Sequence, residues 1–139
     1  MRVLLTGGSG GIGESILKEL NCDVVSPPSS ELDLSSEIDV DYLGTFDGLI
    51  HCAGINTVKP YDQIESDELQ KLFQINTFSF LHLCSSIKLN TNANIIAIGS
   101  LYATDTREGR LQYTMSKHAL LGAVKTLALE MSDRKIKVN

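Results

Sequence analysis

Short, nearly continuous apolar runs recur along the chain, and each predicts a β-strand. A parallel strand that is covered on both faces loses the alternation of polar and apolar residues seen in a strand with one wet face. Four such runs are present, RVLLT (2–6), CDVVS (22–26), FDGLIHCAG (46–54) and NIIAIGS (94–100), and KIKVN (135–139) has the composition of the start of a fifth.

Between these runs, apolar residues recur at helical spacing. GIGESILKEL (11–20) follows the first strand, and a long helix is predicted over SDELQKLFQINTFSFLHLCSSIKL (66–89), with Ser66 as its N-cap. A further helix is predicted from Tyr113 to about Met131.

Strands that alternate with helices predict parallel βαβ units, wound right-handed into a three-layer α/β fold. The 139 residues suit one domain, 1–139, with one core. The chain between VVS and FDGLI is too short for a full helix and strand, so one βα unit is expected to be reduced. Within it, ELDL (31–34) is interpreted as the remnant, and SSEIDVDYL (35–43) as a short helix capped by a serine.

The composition argues against several classes of function. Of the residues, 42% are hydrophobic and 21% charged, as in ordinary globular proteins, and the net charge is −5. A nucleic-acid backbone would need a basic face, and a membrane span would need roughly 18–20 apolar residues in a row; neither is present. Cys22, Cys52 and Cys84 form no C-x-x-C pair, which favours reduced thiols, no metal site and a cytoplasmic location.

A glycine-rich segment, TGGSGGIG, joins the first predicted strand to the first predicted helix and spans Thr6–Gly13. Glycines at this position allow a tight turn and let the backbone approach a pyrophosphate, whose charge rests on the helix N-terminus. The spacing fits T-G-x-x-x-G-x-G through Gly11 and T-G-x-x-G-x-x-G through Gly10. The alternative is a turn that binds no ligand, and the strand–glycine–helix order favours the nucleotide.

The segment QYTMSKHALLG (112–122) places Tyr113 four residues before Lys117, so that both side chains share one face of a helix. A phenol beside an ammonium is either a proton-transfer pair or two amphipathic side chains on a surface. A free tyrosine is a slow acid–base at neutral pH, and a nearby cation stabilises its phenolate. Taken alone, Y-x-x-x-K is common and does not decide between the two.

The combination of motifs resembles the short-chain dehydrogenase/reductase family over the whole chain, and the resemblance implies a Rossmann-like, doubly wound parallel sheet. Besides the glycine loop, HCAG (51–54) resembles that family's N-N-A-G turn after the fourth strand. AIGS ends a strand at Ser100, Tyr113 follows after 13 residues, and Lys117 lies four further on. The 13-residue gap and the Ala-Gly of the turn favour the simple reductase branch over the extended branch, whose members modify sugar nucleotides.

The resemblance implies two sets of site residues. The implied catalytic set is Asn76, Ser100, Tyr113 and Lys117. In it Ser100 holds the substrate oxygen, Tyr113 is the acid and base, and Lys117 serves both the phenol and the nicotinamide ribose. Asn76 holds a water that links Lys117 to solvent. The implied cofactor site is Thr6, Gly7, Ser9, Gly11, Ile12, Gly13, Ala53 and Gly54, with Asp33 at the adenine, together with Tyr113 and Lys117.

The function implied is that of an NAD(P)-dependent oxidoreductase, which transfers hydride between nicotinamide and a small carbonyl or alcohol substrate. The alternatives are a dinucleotide-binding module without turnover and a sugar-nucleotide-modifying enzyme of the extended branch. After the second strand the chain has Ser26, Ser29 and Ser30 instead of the acid that usually binds the ribose 2′-hydroxyl, which favours NADP. Surplus apolar residues in FSFLHLCSSI (78–87) and ALLGAVKTLALEM (119–131) favour a homo-oligomer.

The chain also departs from the family's pattern. His51 and Cys52 replace the Asn-Asn of the turn, and His51 is interpreted as a structural imidazole rather than a pH-sensitive ligand. The chain ends at IKVN, where the family continues with a Pro-Gly turn, a substrate lid and further strands. We therefore expect a piece of a longer reductase without its C-terminal strands, which binds dinucleotide weakly and reduces carbonyls poorly.

Overall fold

A five-stranded parallel sheet forms the centre of the computed structural model, which describes residues 1–139. Its strands are β1 (Arg2–Thr6), β2 (Asp23–Val25), β3 (Thr45–His51), β4 (Lys88–Ala97) and β5 (Lys137–Val138). The order β2-β1-β3-β4-β5 reverses direction between β1 and β3, and in open α/β sheets ligands bind at the carboxyl strand ends beside such a reversal. The predicted doubly wound, Rossmann-like α/β fold is confirmed.

Helices cover the sheet on both faces. They are α1 (Gly11–Glu19), α2 (Ser66–Phe73), α3 (Ser79–Ser86) and α4 (Leu111–Glu130). The side chains of Val3, Leu5 and Ile50 pack on one face with Ile16 of α1 and with Leu20, the residue that caps its C-terminus. A cluster of 19 buried residues on the other face joins the strands to α3 and α4, which completes three layers. None of the helices has the length and apolar character needed to cross a bilayer.

The long helix predicted over 66–89 is interrupted and ends early. A π-helical turn at Gln74–Phe78 separates α2 from α3, and residue 88 already belongs to β4. The predicted N-cap is wrong by one position, because Glu65 is the cap and Ser66 is the first helical residue. Inside the turn, Asn76 and Thr77 are buried and donate hydrogen bonds to Ser116 of α4 at 3.1 and 3.0 Å. These polar contacts hold the widened turn, and apolar periodicity gives no sign of them.

The segment between β2 and β3 contains neither an α-helix nor a strand, as expected for a reduced βα unit. The helix predicted at 35–43 is wrong, since only Asp41–Leu43 forms a short 3-10 turn. The carboxylate of Asp33 accepts the backbone N–H and the hydroxyl of Ser35, a local arrangement that competes with a helix. The segment is anchored instead by buried apolar side chains of the larger cluster: Leu32, Leu34, Ile38, Val40 and Leu43.

Candidate active site

The glycine loop places the N-terminus of α1 at the carboxyl end of β1. Gly7 has a φ of +72°, and a Cβ there would lie 2.6 Å from the backbone nitrogen of Ala53, so the turn requires glycine. Gly13, in the first turn of α1, lies against the carbonyl of Gly7, and a Cβ there would overlap it. Gly11 differs from both, because no atom lies within 4 Å of a Cβ placed on it.

The first turn of α1 has free backbone donors. Its N-cap, Gly10, provides no side-chain hydrogen bond, so the first N–H groups of the helix lack an intrahelical partner. These groups and the helix dipole attract an anion, and the open space at Gly11 lets a phosphate approach the backbone. The loop therefore fits the pyrophosphate of a dinucleotide.

A cleft of about 470 Å³ runs from this loop across the sheet reversal. Every predicted cofactor residue except Tyr113 and Lys117 lines it: Thr6, Gly7, Ser9, Gly11, Ile12, Gly13, Asp33, Ala53 and Gly54. Ser29, one of the serines expected near the ribose, also lines the cleft, whereas sequence reasoning missed other lining residues, among them Pro27, Leu32, Ser35, Cys52, Ile55 and Ile75. Pro27, Ser29, Leu32 and Ser35 belong to the reduced βα unit, whose irregular course has no periodic signal in the sequence.

At the far end of the cleft, Asp33 is exposed and its carboxylate is held in place. Hydrogen bonds from the backbone and side chain of Ser35 lower the pKa of Asp33 below its ordinary value. Ser29 lines the same cleft, and none of the side chains that line the cleft is a lysine or an arginine. The carboxylate of Asp33 is an acceptor for a base, and the hydroxyl of Ser29 is available to a ribose.

Asn76 joins the turn after β3 to α4. Its side chain is fully buried and accepts the backbone N–H of Ile55 at 2.8 Å. The amide nitrogen donates to the Ile55 carbonyl at 2.9 Å and to the hydroxyl of Ser116 at 3.1 Å. Ser116, which was not predicted, donates a hydrogen bond from its hydroxyl to the carbonyl of Tyr113 at 2.8 Å. The bonds of Asn76 use both amide donors, while the oxygen, which can accept two hydrogen bonds, accepts one from the protein.

Lys117 is 5% exposed, and its ammonium donates to the carbonyl of Ile98 at 2.8 Å. Burial lowers the pKa of Lys117, and the thiol of Cys52 opposes this shift. The ammonium nitrogen lies 5.8 Å from the centre of the Tyr113 ring. It also lies 3.9 Å from the position of a Cβ on Gly54, so this glycine connects the cleft to Lys117.

Ser100 and Tyr113 are linked through Tyr102. The hydroxyl of Ser100 accepts the backbone N–H of Tyr102 at 3.2 Å and so caps the 3-10 turn Leu101–Ala103. The ring of Tyr102 then packs edge-on against Tyr113, with centroids 5.9 Å apart. Ser100 is thereby held at the end of β4, on the same side of the sheet as Tyr113 and Lys117.

A second buried contact supports the start of α4. Gln112, directly before Tyr113, is 1% exposed, and its amide donates a hydrogen bond to the hydroxyl of Thr57 in the loop after β3. The contact ties the loop above the cleft to the first turn of the helix that carries Tyr113. A lone glutamine beside a tyrosine gives no signal of this in the sequence.

Three cysteines are free, and no group of three or more His, Cys, Asp or Glu side chains is placed to hold a metal ion. Cys84 is buried in the core, and burial raises the pKa of its thiol to about 12. Cys52 is not a core residue, since it lines the cleft. Partial burial also raises the pKa of the Cys52 thiol, against the effect of Lys117.

Comparison with known proteins places the chain in a family. A family model described as Enoyl-(Acyl carrier protein) reductase matches residues 9–139. The 7alpha-hydroxysteroid dehydrogenase of Escherichia coli (strain K12) is 29% identical over 122 residues, which cover 85% of this chain and 47% of that protein. The chain thus spans about half the length of this curated relative.

Solved structures agree with this match. A short chain dehydrogenase family protein from Francisella tularensis subsp. tularensis SCHU S4 has a TM-score of 0.89 at 26% identity, over 99% of this chain and 66% of that one. 4-hydroxyisoleucine dehydrogenase complexed with NADH has a TM-score of 0.83 at 25% identity, over 99% and 72% of the two chains. A blue fluorescent protein from a metagenomic library, in complex with NADPH, has a TM-score of 0.87 at 25% identity, over 99% and 71%. The chain belongs to the short-chain dehydrogenase/reductase family, as predicted.

Proposed function

We propose that this chain forms the nucleotide-binding and catalytic part of an NAD(P)-dependent oxidoreductase that acts on a small carbonyl or alcohol. The observation that supports this most strongly is the junction at Gly54. There the cleft that begins at the glycine loop meets the buried ammonium of Lys117 and the amide of Asn76. A nucleotide extended along the cleft brings its reactive end to the catalytic residues.

The nicotinamide supplies or accepts the hydride when it is bound, and the protein supplies the rest. Tyr113 gives a proton to the substrate oxygen, or removes one from it, and the nearby cation Lys117 stabilises the phenolate. Ser100 holds the substrate oxygen from the end of β4. Asn76 keeps α4 in place through Ser116 and holds a water that connects Lys117 to solvent.

The nucleotide preference favours NADP. Solved relatives contain NADH or NADPH, so the fold accepts both. In this chain Ser26 follows β2, and Ser29 lines the cleft instead of an acid that would repel a 2′-phosphate. Because no arginine or lysine lines that end to bind the phosphate, the expected preference is small.

Titration of the 139-residue chain with NADPH and NADH, followed by nucleotide fluorescence, tests the binding half of the proposal. Binding of both, tighter for NADPH, is expected, and no binding at millimolar nucleotide would contradict the proposal. A panel of ketones, aldehydes and β-ketoacyl thioesters then tests turnover. Slow or absent turnover is expected of this chain, which spans about half the length of a curated relative.

The catalytic roles are tested by substitution. Tyr113→Phe is expected to remove turnover and leave nucleotide affinity nearly unchanged, because the phenol acts on the substrate oxygen. Lys117→Ala is expected to reduce both, since the ammonium serves the phenol and the ribose. Tyr61→Phe is the matched control, because Tyr61 is 78% exposed and does not line the cleft. A Tyr113→Phe protein that kept most of the parent's activity would exclude the proton-transfer role.

A nucleotide-binding module without turnover is the second candidate. The presence of Ser100 after β4 and of Tyr113 on α4 argues against it, because a protein that only binds nucleotide has no need of them. We also propose a homo-oligomer, supported by exposed apolar side chains of α4 and of the π-turn and α3: Phe78, Leu81, Met115 and Leu129. Sedimentation that shows only monomer at high micromolar concentration would contradict this assembly.

A further inference from the structure

Arg110 is a cation beside the candidate active site for which the proposed mechanism has no role. It is the N-cap residue of α4 and precedes Tyr113 by three positions, a spacing that brings two side chains together on a helix. Its guanidinium carbon lies over the ring of Tyr102, 5.9 Å from the ring centre. Tyr102 in turn packs edge-on against Tyr113, with centroids 5.9 Å apart. Arg110 and the proposed proton donor therefore share one aromatic neighbour.

The guanidinium of Arg110 forms no ion pair, although the residue is half-buried. Asp105 and Glu108 lie in the same loop, but the four ion pairs of the chain all involve other cations. Arg2, the other half-buried arginine, donates to a backbone carbonyl at 2.8 Å and forms an ion pair at 3.3 Å. Arg110 has neither kind of partner, so its five N–H donors are free to bind a ligand.

The charge of Arg110 contributes little to the stability of the fold. A cation at the N-terminus of a helix opposes the helix dipole, and α4 has no acidic residue in its first turn to offset this. The contact with the ring of Tyr102 is favourable by a similar amount. That contact also orders the side chain, so less conformational entropy is lost when the guanidinium binds a ligand.

The charges around Tyr113 favour a negatively charged ligand. The ammonium of Lys117 lies 5.8 Å from the centre of the Tyr113 ring, so two cations lie near this residue. Asp33 is the one carboxylate that lines the cleft, and it lies at the opposite end. The planar fork of a guanidinium matches the paired oxygens of a carboxylate or a phosphate.

We propose that Arg110 binds an oxyanion of the substrate, a carboxylate or a phosphate, while Ser100 and Tyr113 hold the reacting oxygen. The substrate is then an oxo acid, a hydroxy acid or a phosphate-bearing counterpart, rather than a neutral ketone or alcohol. Since the ring of Tyr102 contacts both Arg110 and Tyr113, the anionic group and the reacting carbon are several bonds apart. The substrate class rests on the proposed function, whereas the binding of an oxyanion by Arg110 does not.

Two matched pairs of probes test the binding of an oxyanion. 4-Oxopentanoate and its methyl ester share a ketone and differ in charge, as do dihydroxyacetone phosphate and dihydroxyacetone. Each is titrated into the 139-residue chain with NADP⁺, which cannot reduce a ketone, and the side-chain Nε–H signals of ¹⁵N-arginine protein are followed. The charged member of a pair is expected to shift the Arg110 signal, assigned with an Arg110→Gln variant, and the neutral member to leave it unchanged. The pair with the tighter anion identifies the group as a carboxylate or a phosphate, and no difference between charged and neutral members in either pair would overturn the proposal.

Substitutions test whether Arg110 is the group responsible. Arg110→Gln is expected to weaken binding of the charged probe at least tenfold and to leave that of the neutral probe unchanged. Arg110→Lys retains the charge without the planar fork, so a smaller loss is expected. Arg107→Gln, at an exposed arginine of the same loop, removes the same charge and is the control, with no loss expected. An equal loss in Arg107→Gln would refute a specific site, because it would indicate a general attraction of anions.

Nucleotide affinity separates this proposal from the proposed function. Arg110 does not line the cleft, so Arg110→Gln is expected to bind NADPH as tightly as the parent does. Weaker NADPH binding by Arg110→Gln would contradict the proposal, because the guanidinium would then serve the nucleotide. Absence of NADPH binding by the parent would instead contradict the proposed function. The Arg110 signal, followed without nucleotide, would in that case still decide whether Arg110 binds the oxyanion.

Discussion

Two glycines of one loop are expected to respond in opposite ways to the same methyl group. In Gly13→Ala the new Cβ overlaps the Gly7 carbonyl, which is backbone and cannot rotate away. Overpacking of this kind costs about 1–3 kcal/mol, or roughly 4–12 °C in Tm at this chain length. In Gly11→Ala the methyl meets no atom within 4 Å, and replacing a helical glycine gains up to about 1 kcal/mol.

For nucleotide binding the two positions are expected to rank in the opposite order, with the change at Gly11 the more harmful. Gly11→Ala fills the space through which a phosphate approaches the first turn of α1, and Gly11→Val fills more of it, so NADPH affinity is expected to fall by about tenfold and then further. Urea unfolding measures the stability of the parent and the three variants, and NADPH fluorescence titration measures their nucleotide affinity. A Gly13→Ala protein as stable as the parent, or a Gly11→Val protein with unchanged affinity, would refute the assignment of the loop.

Three further changes test the core and the acid sensitivity of the fold. Burial lowers the pKa of His51 from 6.5 to about 4 on folding, so as the pH falls the unfolded chain takes up this proton before the folded protein does. The contribution of His51 to the free energy of unfolding is therefore complete above pH 6.5 and about 3 kcal/mol lower by pH 4. Urea unfolding is expected to show this loss in the parent and not in His51→Phe. Leu83→Ala, at a fully buried position, is expected to lower the free energy of unfolding by about 2–5 kcal/mol. Leu129→Ala, at an exposed position, is the control and is expected to change it by no more than about 0.5 kcal/mol. Ser116→Ala leaves a buried donor of Asn76 without one partner and is expected to cost about 1–3 kcal/mol by thermal unfolding.

The alternation of apolar runs and helical segments was sufficient to predict the sheet, because burial on both faces leaves a strong signal in each strand. It failed where polar contacts determine the backbone. The π-turn is held by Asn76 and Thr77 against α4, and in the irregular segment after β2 the carboxylate of Asp33 bonds Ser35 in a local turn that competes with a helix. Each of these two segments depends on one or two polar side chains and their particular partners. The periodicity of apolar residues carries no information about such contacts.

The candidate site could be predicted as far as its motifs extend. The glycine loop and the Tyr113–Lys117 pair are local in sequence, so their spacing records their geometry. Contacts between residues on different elements cannot be predicted from spacing in this way. Examples are the hydrogen bond between Asn76 and Ser116, the hydrogen bond between Gln112 and Thr57, and the position of Cys52 in the cleft lining. His51 was predicted as a structural imidazole, and its hydrogen bond to Thr6 supports this, although Nε2 is left without a partner.

The replacement of Asn-Asn by His51 and Cys52 changes what surrounds the buried cation of the site. Both side chains are neutral at physiological pH, because burial lowers the pKa of the imidazole and raises that of the thiol. Neither forms a hydrogen bond with Lys117, whose ammonium has three donors and uses one of them on the carbonyl of Ile98. Two donors of Lys117 therefore have no partner in the protein, the number that its proposed role at a ribose hydroxyl and at the Tyr113 phenolate requires. Each unpartnered donor adds to the cost of burying the charge, which supports the proposed catalytic role of Lys117 over a purely structural one.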